Sequence, residues 1–225
     1  MPDEKTLKQR VHDGDVINFA GAPLTATKEA LEERLRKDTY HMIGVDVQHN
    51  PYSEERLVEF CRMANEMGVP VQLRIKHPRQ AYLLGNYVDL GLLSVVVPLV
   101  EREETVDEAI ESFYFPPMGR RSYVSGWAYR FREIKDRLKY AEWWNSNGIL
   151  TLQLESVEAV TNVRKLVKPG VDMLVFGAAD MAFDLEQHPE SPLKSLEDCH
   201  VHVVEQVKDM DVRVGVGSQP FGKYE

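Results

Sequence analysis

The chain is short of cysteine, of long apolar runs and of positive charge, and each shortage removes a class of protein. Two cysteines in 225 residues, Cys61 and Cys199, both inside predicted helices, cannot form a disulfide framework. They read as two reduced, buried thiols of a cytoplasmic protein. The longest apolar run, Leu90 to Val100, is too short to span a bilayer and contains Pro98, so it reads as a buried strand. The N-terminus, MPDEKTLKQRVHDGD, is charged from its third residue and lacks an apolar signal region, which argues against export. Asp and Glu outnumber Lys and Arg by 36 to 27, and the resulting charge of −9 repels nucleic acid and anionic membrane. An acidic substrate must therefore be drawn by local arginines. No Gly/Ser-rich linker divides the sequence, so residues 1–225 read as one domain.

What the sequence does contain is a repeated alternation of apolar, β-rich runs with helical patterns. Strands are expected at Val16 to Ala20, Met42 to Val47, Val71 to Ile75, Leu92 to Val97, Ile149 to Leu154, Val171 to Phe176 and Val212 to Val216. Amphipathic helices fall between them, such as Thr25 to Lys37 and the segment after Ser53, whose first turn holds Glu54 and Glu55. Seven hydrophobic strands separated by helices mean a parallel sheet covered on both faces. A TIM (β/α)8-type barrel is the first expectation, with the eighth βα unit missing because the chain runs only nine residues beyond Val216. A doubly wound open sheet is the alternative, but no Gly-rich fingerprint follows an early strand. Between Arg120 and Trp144, seven basic residues interleave with aromatics, among them Trp127, Trp143 and Trp144. The rest of a nucleic-acid signature is absent, so this stretch reads as a helix at a subunit interface, and a homo-oligomer is expected.

Polar groups recur where these strands end. Glu155 closes the fifth strand, and Asp180 follows the sixth after Gly177-Ala178-Ala179. In a parallel βα array both acids arrive at one sheet edge, where such folds place their chemistry. Two oxygen ligands with no Cys/His cluster nearby suit a hard ion, Mg²⁺ or Mn²⁺; a helix cap and an ordinary turn are the plainer explanation. Asp46 and His49 follow the second strand as D-V-Q-H, an arrangement that orients an imidazole for proton transfer. Arg74 closes the third strand and offers a fixed fork of donors to a carboxylate or an enolate, or to a neighbouring acid. Five reactive groups from four strand ends converge on one rim.

VDVQHNP, LRIKHP, VDLGLLSVVVPLVE, FYFPPMGRRSY, LQLESVEAV and GVDMLVFGAADMAF resemble, in order and approximate spacing, the HpcH/HpaI aldolases, class II pyruvate aldolases of the phosphoenolpyruvate/pyruvate-barrel superfamily. The resemblance runs from about Leu7 to Val216. It implies a divalent metal (Mg²⁺ or Mn²⁺, with Co²⁺ as a substitute) on Glu155 and Asp180, an Asp46–His49 acid/base pair, and Arg74 stabilising an enolate. It also implies that Gln153 and the backbone around Gly177 and Ala179 contact metal-bound water and the substrate carboxylate, and that the protein is a trimer or hexamer exchanging an eighth helix between subunits. Departures are Gln48 in place of a glutamate, Ala178 in place of a proline and Ser122 in place of a glycine. The expected activity is a metal-dependent carbon–carbon lyase joining pyruvate, or a related α-keto acid, to an aldehyde through a metal-bound enolate. A related decarboxylase and a catalytically degenerate barrel serving as a binding or assembly subunit are the alternatives.

Overall fold

The computed structural model describes residues 5–124 and 126–215 and the backbone of residues 223–224. Its strands are β1 (Ile17–Gly21), β2 (Met42–Asp46), β3 (Val71–Arg74), β4 (Ser94–Val97), β5 (Ile149–Leu154), β6 (Met173–Phe176), β7 (Arg213–Val214) and β8 (Lys223–Tyr224). Its α-helices are α1 (Leu7–His12), α2 (Lys28–Leu35), α3 (Glu54–Glu66), α4 (Leu84–Val88), α5 (Glu103–Phe113), α6 (Arg137–Asn147), α7 (Val157–Thr161), α8 (Val163–Leu166), α9 (Ala178–Gln187) and α10 (Leu196–Val207). Strands β1 to β7 pair in sequence order, all parallel, and curl into a half-barrel. This is the TIM-type arrangement expected from the alternating pattern. Among the described residues no helix is long and apolar enough to cross a membrane.

Burial on both faces explains why the strands are apolar throughout. All six residues of β5 are buried, and they alternate between two cores. Ile149 joins Ile17, Phe19, Met42, Val96, Met173 and Val175 inside the barrel. Leu150, Leu152 and Leu154 point the other way, into the larger layer beneath the helices. α3 shows how those helices are fixed. Ser53 accepts from the Arg56 N–H at 3.2 Å, two glutamates occupy the first turn, and Leu57, Phe60, Cys61 and Ala64 form the buried stripe. Cys61 and Cys199 are both free and buried, as expected.

The seven parallel strands stand as expected, and what lies beside β1 is no βα unit but the antiparallel pair Lys223–Tyr224, which meets Ile17–Asn18 and covers the outer edge. An uncovered row of N–H and C=O groups is the liability such a pairing removes. Two expectations need correction, the length of the seventh strand and the helix assigned to the basic-aromatic stretch. The expected seventh strand is only two residues long, and Val216 lies outside the described residues. The basic-aromatic stretch is not one helix, since regular structure begins only at Arg137, capped by Asp136, after a run of turns in which Arg130 adopts φ 57°. Tyr140 and Trp144 are buried within the chain, while Tyr123 and Trp127 stay exposed. Trp144 is buried and donates from Nε1 to the Phe113 carbonyl at 2.8 Å. The Arg121 guanidinium lies 4.3 Å from the Trp144 ring centre and pairs with Asp89 at 2.5 Å.

At the amino end of the barrel, Asp172 anchors several elements at once. Its buried carboxylate accepts from the Leu150 N–H at 2.8 Å, the Tyr114 hydroxyl at 3.1 Å, Lys8 Nζ at 3.0 Å and His12 Nε2 at 2.9 Å. Removing one member of a buried ionic cluster strands the others, so Asp172→Ala is expected to cost about 3–5 kcal/mol in chemical denaturation; a loss below about 1 kcal/mol would deny it this role. His12 Nδ1 also meets Asp211 at 2.7 Å. The hydrogen bond to Asp172 outweighs burial, and with Asp211 raises the His12 pKa to about 8, above its ordinary 6.5. A raised pKa means that the folded state binds the proton more tightly, so this stabilisation is full below pH 6.5 and lost as pH rises through 8. Thermal melts of wild type and His12→Asn should therefore converge between pH 6.5 and pH 8.5, and a constant difference across that window would contradict the assignment.

Candidate functional site

The carboxyl ends of β2, β3 and β5 assemble a connected polar row. Parallel register places Asp46, the last residue of β2, directly opposite Arg74, the last residue of β3. The two form a bidentate pair, with Nε donating to Oδ1 at 2.8 Å and Nη2 to Oδ2 at 2.6 Å. The Gln48 N–H adds a third hydrogen bond to Asp46, at 3.0 Å. Burial alone would raise the Asp46 pKa, but the donors and charge of Arg74, with the Gln48 N–H, hold it below the usual carboxylate range.

The row continues from Arg74 Nη1 to Gln153 Oε1 at 3.3 Å, and from Gln153 Nε2 to Glu155 Oε1 at 3.0 Å. The other Glu155 oxygen accepts the Leu99 N–H at 2.7 Å. Leu99 follows Pro98 in a left-handed conformation, φ 51°, which is uncommon for a residue with a side chain and is a form of strain found at functional sites. Glu155 is buried, and the Asp180 carboxylate in the first turn of α9 adds a like charge. Burial first, opposed by the Leu99 N–H and reinforced by Asp180, pushes the Glu155 pKa up to about 7.

Gly177 completes the pocket around Glu155. A Cβ there would collide with Glu155 Oε1 and Gln153 Nε2, so only glycine leaves the space free. A buried carboxylate, a second carboxylate beside it and an all-oxygen donor set fit a hard divalent ion that retains several waters. Among the described residues no group of three or more His, Cys, Asp or Glu side chains gathers as a metal cage. Such an ion would rest on the two acids and on non-protein oxygens.

Sequence reading expected Asp46, His49, Arg74, Glu155 and Asp180 at one rim, and the resemblance added Gln153, Gly177 and Ala179; the structure brings Asp46, Arg74, Gln153 and Glu155 into the row, with Gly177 against Glu155 and Asp180 beside it. The Asp46–His49 contact differs from expectation. His49 is exposed, and among the described residues its ring makes no hydrogen bond, although its charge still acts on Asp46. Register explains the difference, because Arg74 lies opposite Asp46 and takes both carboxylate oxygens. Sequence reasoning missed Leu99, which acts through its main chain, and Asn50, whose Nδ2 donates to the Asp46 carbonyl at 3.1 Å. The basic residue Arg121 belongs to the outer aromatic layer and is not part of the rim.

With this geometry in view, residues 25–216 match the family model described as HpcH/HpaI aldolase/citrate lyase. A 2-dehydro-3,6-dideoxy-6-sulfogluconate aldolase of Pseudomonas putida is 25% identical over 203 residues, covering 90% of this chain and 76% of that protein. A hydroxypyruvate/pyruvate aldolase of Paraburkholderia phytofirmans is 23% identical over 214 residues, covering 93% and 82%. The crystal structure of an HpcH/HpaI aldolase from Desulfitobacterium hafniense shares the fold with a TM-score of 0.81 at 21% identity, over 94% of this chain and 81% of that one. These names bear out the expectation of an aldolase-type lyase, and the structural likeness bears out the barrel. The extent of the match establishes that the chain belongs to the HpcH/HpaI aldolase/citrate lyase family.

Proposed function

We propose that the chain is a metal-dependent class II aldolase that makes and breaks the bond between pyruvate, or a related α-keto acid, and an aldehyde. The observation that carries this reading is the continuous row Asp46–Arg74–Gln153–Glu155, with Asp180 beside it. Glu155 and Asp180 would hold Mg²⁺, Mn²⁺ or Co²⁺. Once bound, the ion supplies Lewis-acid polarisation of the substrate keto group and offsets the charge of the enolate.

Arg74 has five N–H bonds, and three are engaged by Asp46 and Gln153. The remaining two are available to an oxygen that gains negative charge during the reaction, already oriented by the ion pair. Gln153 links the guanidinium to Glu155 and keeps both side chains in register. Free N–H groups at the start of α9, around Ala179, suit the substrate carboxylate. His49, in the loop after β2, is assigned the proton of the aldol hydroxyl, with the ionised Asp46 nearby. That no hydrogen bond fixes His49 among the described residues favours a second reading, decarboxylation of an oxo acid, which uses the same enolate and removes no hydroxyl proton. The two free cysteines accord with a cytoplasmic setting.

Aldol cleavage should vanish on chelation and return with Mg²⁺ or Mn²⁺. Glu155→Ala and Arg74→Ala should depress aldol cleavage and oxaloacetate decarboxylation together. His49→Ala should lower cleavage by about 10²- to 10⁴-fold, the usual worth of a positioned general base, and decarboxylation by much less. Full activity in metal-free protein would refute the metal assignment, and equal losses of both activities in His49→Ala would remove its acid/base role.

We also infer a homo-oligomer, a trimer or hexamer, because Phe183 on α9 and Val201 and Val204 on α10 stay exposed on neighbouring helices. Light scattering on the active protein should give a multiple of the chain mass. A stable, active monomer would exclude it.

A further inference from the structure

We propose that the cavity on the β1–β2 side of Arg74 receives the aldehyde, and that it selects uncharged aldehydes over those carrying a second anionic group. This deepens the aldolase reading and rests on it. The cavity has a volume of about 530 Å³ and is framed by Gly21, Pro23, Thr25, Asn50, Asp46 and Arg74. Glu155 and Gln153, assigned to the keto acid, reach Arg74 from the opposite side, on β5. The guanidinium thus stands between this cavity and the side chains assigned to the keto acid, as a reaction joining two carbon fragments requires. In the addition direction the enolate carbon bonds to the aldehyde carbon and the aldehyde oxygen gains a proton, so no further co-reactant is needed.

Charge decides which aldehydes the cavity favours. Among the described residues on its wall, Asp46 and Arg74 are the only acid and base, and they neutralise each other through two hydrogen bonds. All other lining residues are glycine, alanine, proline, leucine, threonine or asparagine. A carboxylate or sulfonate brought in here would lose water, meet a guanidinium whose charge Asp46 already balances and lie beside Asp46, which is the repulsive element that excludes a competitor. Other cations near the rim are placed elsewhere. Arg79 and Arg102 border a separate hollow next to α5, and Lys76 Nζ sits 5.8 Å from the Tyr52 ring centre. A hydroxyl or alkyl group, by contrast, needs only Thr25, Asn50 and apolar surface.

Space decides the length. Gly21 ends β1 at the cavity wall, and a Cβ built there meets no atom within 4 Å. The missing side chain therefore leaves room that a substrate can take, and a larger residue fits the strand without a clash.

The test uses the full chain with Mn²⁺ and pyruvate and compares aldehydes of matched length, butyraldehyde against succinic semialdehyde and glycolaldehyde against glyoxylate. In each pair the neutral aldehyde should have a kcat/KM at least about tenfold higher, within the range that a single pocket discriminates. Thr25→Arg, at an exposed position, should move the butyraldehyde to succinic semialdehyde ratio about tenfold toward the anion. Gly21→Val should lower butyraldehyde use about tenfold relative to oxaloacetate decarboxylation, and Gly21→Ala should do so less. A wild-type preference for the anionic aldehydes, or parallel losses of addition and decarboxylation in Gly21→Val, would overturn the inference and leave the aldolase reading standing. If wild type neither decarboxylates oxaloacetate nor adds pyruvate to any of these aldehydes with metal present, the aldolase reading falls and the inference with it.

Discussion

The bidentate pair between Asp46 and Arg74 is the constraint on which the rim depends. Two strands end in opposite charges at matched register, so each side chain meets its counter-ion without leaving the strand's own geometry. The pair keeps Asp46 ionised, fixes the plane of the guanidinium and leaves Arg74 with donors to spare. It also cancels charge at the centre of the site. The charge-balanced β1–β2 side follows from that neutrality, and the acids Glu155 and Asp180 stand apart from it.

The barrel handles two buried carboxylates in opposite ways. Asp172, at the amino end, is saturated by a backbone N–H, a phenol, and an ammonium and an imidazole from α1, so three parts of the chain meet on it. Glu155, at the carboxyl end, has one backbone N–H and one side-chain amide, and it faces a like charge in Asp180. The first arrangement locks elements together. The second sets two like charges side by side with only the more distant Arg74 to offset them, an arrangement that a cation would complete.

Much of this was legible in the order of residues, for a geometric reason. In a parallel sheet the last residue of every strand lies at the same edge, so Asp46, Arg74, Glu155 and Asp180 could be assigned to one rim before their neighbours were known. For the buried part of the basic-aromatic stretch, composition left the partner open for an equally physical reason. Composition records that Trp144, Tyr140 and Arg121 are suited to burial at an interface, but not whether the surface they cover belongs to another subunit or to their own chain. Here Phe113, Phe115 and Asp89 supply it.

The sequence alone determined the two-faced strands, the helix caps and which end of the sheet carries the acids, because these depend on local periodicity and on the direction of the chain. Tertiary structure alone decided that Asp46 pairs with Arg74 rather than His49, that the Leu99 main chain holds Glu155, and that Lys223–Tyr224 covers the edge of β1. Each of these depends on register or on contacts between residues distant in sequence, and such contacts leave no local pattern along the chain.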